Sequence, residues 1–425
     1  MKTAIKSIVL FLLASTALNA QGPEVTSWVL NTTSSTGYNC SGCSPAVNGT
    51  IAADIASVDY DTDNAYVTTD GVPSYNVGPW SANPNVPSAQ NRIWKFTLSP
   101  SENTGVKTAT GLGNIGVWSN GVGIYNAKDG FYWDDGTQTM LSGGSGAWNR
   151  NAYVFEAISF DGCLGHADGS GAYHNHVNPT CLYDYTATTV HSPIIGYAFD
   201  GFPIYGAFAY TNTDATGAIK RMASSYKLTT NTTRVAGPTM AVYAAGSFCE
   251  DYEYTVGHGD LDEFNGRFCV TPEYPNGTYA YFVTTEINGD PAYPFVLGPS
   301  YYGNVAKGNT GPQGGSANIP AGATKYVPVA SSIETQKANE GNIFIYPNPV
   351  IDQVLKFEVR DLSNDLIVQI CDYQGRVLVY RIFPAGTVGS KLELAAPFLN
   401  TGYYWVTFIS GETNVTKKVL FNDGF

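Results

Sequence analysis

Residues 160–185 read FDGCLGHADGSGAYHNHVNPTCLYDY, and with HSPIIGYAFDGFPIYG at residues 191–206 they hold four of the five histidines of this 425-residue chain. His174 and His176 stand two residues apart, and alternate side chains of a strand point to the same face. His166 lies eight residues earlier, across a glycine-rich turn. The stretch therefore predicts that a turn between two extended segments brings three imidazoles to one spot.

Three histidines at one spot favour a transition-metal site. Neutral imidazole is the commonest metal ligand, and three of them with an open position suit catalytic zinc or copper. Zinc would activate a water molecule for hydrolysis, whereas copper would support redox chemistry. We expect Asp200 to serve as a carboxylate ligand or as the acceptor that orients an imidazole. The sequence thus predicts a metal site, either a binding site or a catalytic one, at His166, His174, His176 and Asp200.

A non-enzymatic alternative explains the same residues. Histidines in aromatic-rich β domains also satisfy buried carbonyl groups, so the cluster could be structural. The chain would then be a surface module that binds glycans or a protein partner through tyrosine and tryptophan side chains, among them Trp80, Trp118, Trp133 and Trp148.

Composition favours an exported, all-β protein. Only 13% of the residues are charged, and the chain has 29 Tyr, 20 Phe and 46 Gly. Short runs rich in Val, Tyr, Phe and Thr are bounded by Gly, Pro, Asn and Asp, which is typical of strands joined by turns. The runs include EVTSWVLNTT, AYVTT, IWKFTL, GVGIYN, AYVFEAISF, IIGYAF and TYAYFVTT. We predict a large sandwich-like β domain with long loops at residues 21–301.

Charge and the first residues bear on partners and location. The net charge is −13 and falls almost entirely on residues 21–342, which argues against nucleic acid or an anionic lipid surface as partner. Residues 1–20 resemble a secretory signal, with Lys2 and Lys6 before the apolar run IVLFLLASTAL. No later run is long enough to predict a transmembrane helix. We expect a secreted or cell-surface protein.

The seven cysteines are read as disulfide candidates because the chain is expected to be exported. Pairing neighbours gives Cys40–Cys43, Cys163–Cys181 and Cys249–Cys269, with Cys371 left over; other pairings stay open. Cys40 and Cys43 could instead form a redox pair or half of a zinc site, but no second such motif exists, so a structural disulfide is favoured.

One acidic stretch suggests a calcium site, with a solvated turn as the alternative. Asp59, Asp61 and Asp63, followed by Asn64 and Asp70, approach the spacing of a twelve-residue calcium loop. Asn64 stands where glycine is expected, and the flanking sequence predicts strands instead of helices. A solvated turn is the competing interpretation.

The C-terminal quarter changes character twice. Residues 302–342 are rich in Gly, Ala, Ser, Asn and Pro and predict a flexible linker. Residues 343–425 predict a small β-sandwich. They resemble the type A C-terminal sorting domain of the type IX secretion system, through YPNP at 346–349, DYQG at 372–375, GYY at 402–404 and KKV at 417–419. This resemblance implies the type IX secretion machinery as partner, passage across the outer membrane, and removal of the domain afterwards.

The histidine-rich region resembles the YHYH domain of secreted bacterial proteins. The matching segments are CLGH at 163–166, YHNH at 173–176, SPIIG at 192–196, DGFPIYG at 200–206 and DLDEFNGRF at 260–268. Asn175 replaces the second tyrosine of the motif that names the family. The resemblance implies no particular reaction, so the metal site is predicted from the residue chemistry alone.

Overall fold

The computed structural model describes residues 21–144, 146–310, 314–328, 343–347, 349–351, 353–359, 365–371, 377–384, 391–396, 399, 401–410 and 413–422. The predicted signal at 1–20 and the linker residues 329–342 lie outside these ranges. The chain divides into two compact units after Tyr326.

The first unit is built from short strands. They are β1 (Thr36–Gly37), β2 (Ile51–Ala52), β3 (Ile55–Tyr60), β4 (Asn64–Thr69), β5 (Arg92–Thr97), β6 (Asn114–Trp118), β7 (Gly123–Tyr125), β8 (Lys128–Asp134), β9 (Thr139–Ser142), β10 (Trp148–Asn151), β11 (His166–Ala167), β12 (Tyr173–Asn175), β13 (Ile194–Ala198), β14 (Pro203–Tyr205), β15 (Phe208–Tyr210), β16 (Ile219–Arg221), β17 (Tyr226–Leu228), β18 (Tyr252–Tyr254), β19 (Gly266–Cys269), β20 (Thr278–Phe282) and β21 (Thr324–Lys325). Two short helices, α1 (Pro23–Thr26) and α2 (Ala152–Glu156), and 3₁₀ turns at Ala157–Ser159 and Cys249–Asp251 complete it.

An eight-stranded mixed sheet forms the centre of this unit, in the order β11-β12-β7-β6-β13-β14-β20-β19. Strands β12 and β7 run parallel, as do β14 and β20, and the other neighbours are antiparallel. Every residue of β13 and β20 is buried, which explains why these strands appear in the sequence as continuous apolar runs.

A four-stranded sheet, β21-β3-β4-β5, packs on the central sheet. Trp94 of β5 stacks on Phe199 with ring centroids 5.1 Å apart, and Phe96 lies 6.0 Å from Tyr197 of β13. Large apolar side chains from both sheets share one core. The predicted all-β class and sandwich-like packing are confirmed.

Two predicted strands are helical in part. The run at 24–33 begins with α1, and the run at 152–160 forms α2 followed by a 3₁₀ turn. At α2 the side chain of Asn151 accepts a hydrogen bond from the N–H of Tyr153 and caps the helix. This capping bond favours a local turn over the extended state that Tyr, Val and Phe prefer.

The predicted linker is too long at its N-terminal side. Tyr302 stacks on Tyr279 at 3.6 Å, the Asn309 side chain bonds both the N–H and the C=O of Lys95, and β21 pairs with β3. Residues 302–310 and 314–326 therefore belong to the first unit. Small residues that predict flexibility here pack against its sheets instead.

The second unit contains β22 (Ile343–Ile345), β23 (Val354–Val359), β24 (Leu366–Cys371), β25 (Val377–Phe383), β26 (Lys391–Ala395), β27 (Gly402–Ser410) and β28 (Thr413–Phe421). Sheets β22-β23-β26 and β25-β24-β27-β28 enclose one apolar core, in which Phe357 and Phe408 have ring centroids 5.1 Å apart. This is the predicted small β-sandwich.

Two of the three predicted disulfides form, Cys40–Cys43 and Cys163–Cys181. The predicted Cys249–Cys269 bond is wrong, because both thiols are free and buried. Cys249 lies in a 3₁₀ turn with its Sγ 3.4 Å from the carbonyl oxygen of Ala127, whereas Cys269 ends β19. Both residues belong to the apolar core of the first unit, where a free thiol packs as a small apolar side chain.

Candidate metal centre

The three histidines lie on a hairpin at the edge of the central sheet. His166 of β11 stands directly opposite His174 of β12. The connecting loop is fixed by Asp168, whose Oδ1 accepts hydrogen bonds from the N–H groups of Ser170 and Ala172. This register, together with the two-residue step from His174 to His176, brings the imidazoles together as the sequence predicts.

The imidazoles meet through their Nε2 atoms. The Nε2 of His174 lies 3.0 Å from that of His166 and 3.2 Å from that of His176. All three residues are buried, with at most 6% of their surface exposed. Among the residues that the structure describes, these side chains form one group whose ligand atoms lie within 4.8 Å of one another.

Hydrogen bonds at Nδ1 fix the tautomers of His174 and His176. The Nδ1 of His174 lies 3.0 Å from the carbonyl oxygen of Ala172, and that of His176 lies 2.6 Å from the carbonyl oxygen of Asn126. A carbonyl oxygen can only accept, so each Nδ1 carries the proton. In the neutral imidazole the Nε2 atoms then carry bare lone pairs.

The same tautomer follows for His166. Its Nδ1 lies 2.8 Å from the Oγ of Ser159, and this hydroxyl donates to the carbonyl oxygen of Glu156 at 2.7 Å. Since the hydroxyl proton is committed, Oγ accepts from His166. Three bare Nε2 atoms therefore face one another, and each imidazole is oriented by a second polar group, as in metal sites.

Electrostatics oppose protonation of His166 and His174. Burial, and then the neighbouring imidazole of His176, lower the pKa of His166 to about 4. Burial also holds the pKa of His174 well below its ordinary value, with both other histidines adding to the effect. A proton is thus a poor partner for these lone pairs, whereas a metal ion suits them.

Glu156 is a fourth group at the cluster that the sequence did not predict. Its Oε2 lies 3.1 Å from the Nε2 of His176 and 3.8 Å from that of His166. Within the described part of the chain this oxygen is buried and receives no hydrogen bond. The available signal was the Asn151 cap, which begins the helix that ends at Glu156.

Aromatic rings hold two of the imidazoles in place. Tyr125 of β7 stacks on His174 with ring centroids 3.7 Å apart, and its hydroxyl donates to Oδ2 of Asp168 at 2.9 Å. Phe160 meets His166 edge to face at 4.9 Å. These contacts restrict ring rotation, so the Nε2 atoms keep their directions.

The cluster opens onto a cleft of about 500 Å³. The lining includes the three histidines, Glu156, Lys128, Asp129 and Asp168. Asp129 pairs with Arg150, and Asp168 is engaged by its loop and by Tyr125. A small polar molecule has room to reach the buried Nε2 atoms from this side.

Asp200, which was expected to bind the metal or to orient an imidazole, has other partners in the structure. Its Oδ2 accepts hydrogen bonds from the Tyr281 hydroxyl at 2.6 Å and the Gly303 N–H at 2.8 Å, and burial raises its pKa to about 6. The three Nδ1 atoms have other partners, so the structure does not bring Asp200 to the cluster. Asp200 follows β13 in a tight turn toward β20, away from the hairpin edge.

Asn175, which departs from the family motif, anchors the loop before the hairpin. It is fully buried, and its Nδ2 donates to the carbonyl oxygens of Cys163 and Leu164. Position 175 therefore faces away from the Nε2 cluster, as alternation along β12 requires.

The other candidate sites have ordinary structural explanations. Asp61 accepts hydrogen bonds from the N–H groups of Asp63 and Asn64 in the β3–β4 turn, which favours the turn over a calcium site. Trp118 is fully buried, and Trp80 donates to the carbonyl oxygen of Gly165. The tryptophans that suggested a glycan surface thus include a core residue.

Comparisons with known proteins agree with this architecture. Residues 93–292 match the family model described as YHYH protein, and residues 344–422 match the secretion system C-terminal sorting domain. Comparison with curated proteins gave no match. No helix within the described residues is long and apolar enough to cross a membrane. The chain thus carries a segment that matches the YHYH family, followed by a type IX C-terminal sorting domain, which indicates secretion to the cell surface or the extracellular space.

Proposed function

We propose that the YHYH domain binds one divalent transition-metal ion, copper or zinc, through the Nε2 atoms of His166, His174 and His176. The observation that carries the proposal is the convergence of three unprotonated Nε2 atoms, with separations of 3.0 and 3.2 Å from His174. Two nitrogen ligands at about 2.05 Å from a tetrahedral zinc ion would lie about 3.3 Å apart. The observed spacing is close to that value.

The cleft supports an accessible ion over a purely structural one. Structural zinc sites are closed by four protein ligands, whereas catalytic sites keep a position for water or substrate. Here three histidines converge beside an open cleft. A metal-dependent reaction on a small molecule is the activity that this arrangement favours.

Metal content of the full chain, purified without a histidine tag, tests the proposal. After exposure to zinc or copper and removal of excess ion, elemental analysis should find about one ion per chain. His174→Ala should hold none, because it removes the nitrogen that lies nearest to both others. His258→Ala is the matched control, since His258 is exposed on a loop.

Two outcomes would contradict the proposal. One is a wild-type chain that retains neither ion. The other is equal retention by the His174→Ala and His258→Ala variants, which would place the ion elsewhere.

A further inference from the structure

Glu156 contributes a buried oxygen, Oε2, that receives no hydrogen bond from the described residues. Its Oε2 faces the Nε2 atoms of His176 and His166, and both nitrogens carry lone pairs for the reason given above. Two acceptors 3.1 Å apart repel each other. The Glu156 side chain is 26% exposed, but its buried Oε2 without a hydrogen bond is still unfavourable. Within the described part of the chain no donor satisfies this oxygen, so a ligand that enters the cleft with a donor group would complete it.

The position of Glu156 is rigid. It ends α2, and the Ser159 hydroxyl that accepts from His166 also donates to the Glu156 carbonyl oxygen. The backbone of Glu156 is thereby tied to one of the three histidines. The carboxylate borders the same cleft as the cluster, so it stands beside the side from which a ligand would approach.

The other charged groups nearby do not neutralise Glu156. The ammonium of Lys128 lies 3.9 Å from Glu250, and the guanidinium of Arg150 is paired with Asp129. The pair of Arg150 and Asp129 is neutral as a whole, so it neither adds to nor offsets the charge of Glu156. Among the described residues of the cleft lining, Glu156 and Asp168 are therefore the carboxylates without a lysine or arginine partner.

We propose that Glu156 makes this centre selective for ligands that donate a proton or hydrogen bond, such as water or a substrate hydroxyl, and against anions. The inference rests on the metal site proposed above and adds the chemical class of molecule that occupies its open position. A hydroxyl bound to the ion donates to Oε2 and satisfies it. An anion there meets the carboxylate charge, and at short range in a partly buried site such repulsion is large.

Azide binding to the cobalt-loaded full chain tests the selectivity, because the visible spectrum of cobalt reports both coordination and anion binding. Glu156→Gln removes the charge at nearly constant shape, and we expect it to bind azide at least about tenfold more tightly than the wild type. Glu156→Ala, which adds no amide donor, should show the same direction. Glu286→Gln, an exposed residue, is the control and should match the wild type.

The outcomes separate this inference from the proposed function. Equal azide affinity in wild type and Glu156→Gln, with cobalt retained by both, overturns the selectivity and leaves the metal site standing. A group that acts through a metal ligand typically changes metal affinity by about 10- to 100-fold. If Glu156→Gln loses far more cobalt affinity than this, Glu156 is itself a ligand, and the selectivity proposal is overturned. A wild-type chain that takes up no cobalt, zinc or copper overturns the metal site and the inference with it.

Discussion

The Cys163–Cys181 disulfide closes the loop that carries all three histidines, with a sequence separation of 18 residues. We predict that replacing both cysteines by serine lowers the free energy of unfolding of the first unit by about 3 kcal/mol, from the loop-closure entropy that the bond removes from the unfolded chain. The folded loop should persist, because Asp161 accepts hydrogen bonds from the N–H groups of Cys163 and Gly165 and from the Tyr173 hydroxyl.

Urea unfolding followed by tryptophan fluorescence measures this effect, since six of the seven tryptophans precede Tyr326. The double serine variant of Cys40 and Cys43 is the matched control. Its bond spans only 3 residues, so the same entropy argument gives about 1.5 kcal/mol. A loss at Cys163–Cys181 no larger than the control's would refute the loop-entropy reasoning.

Three further predictions concern the metal, one buried carboxyl and one buried ion pair. In thermal unfolding, zinc at about 100 times its dissociation constant should stabilise the wild type by about 2.7 kcal/mol and leave the stability of His176→Ala unchanged. Equal stabilisation of both proteins would contradict the proposed metal site. Burial raises the pKa of Asp200 from 3.8 to about 6, so the folded chain keeps a proton that the unfolded chain releases between these values. The stability that Asp200 contributes is therefore full below about pH 4 and is lost as the pH rises through 6. In the wild type the free energy of unfolding, measured against pH, should fall by about 3 kcal/mol over that window, and Asp200→Asn should remove this fall. An unchanged pH profile in the variant would contradict the prediction. Arg234 donates to the buried Asp251 at 2.7 Å through both Nε and Nη2. Arg234→Ala leaves this carboxylate without its partner and should lower the free energy of unfolding in urea by about 3–5 kcal/mol. A loss below about 1 kcal/mol would count against a tightly coupled pair.

The sequence predicts the histidine cluster because its geometry follows from strand periodicity. His174 and His176 share a face of β12, and the glycine-containing turn returns β11 to pair with it. The bare Nε2 atoms could not be predicted in this way. They depend on the carbonyl groups of Ala172 and Asn126, and the second of these belongs to a distant part of the chain.

The sequence did not indicate Glu156, and it did not show where the carboxylate of Asp200 points. The reasons are separate. A helix of five residues is too short for a 3.6-residue period to appear, so α2 was predicted as a strand. Asp200 lies close to the histidines in sequence, but the turn after β13 directs its carboxylate to Tyr281 of β20. Proximity along the chain does not reveal which of the neighbouring strands a side chain will face.

The disulfide around the histidines also indicates where the proposed centre would assemble. A bond of this kind forms after the chain has left the reducing cytosol, and the sorting domain directs the protein onward to the cell surface or beyond. The general order of affinities for divalent metals places copper above zinc in such a site. Cells override this order by controlling which ion is available in the compartment where the protein folds. The identity of the bound ion would then record the metal supply of the compartment in which the loop closes.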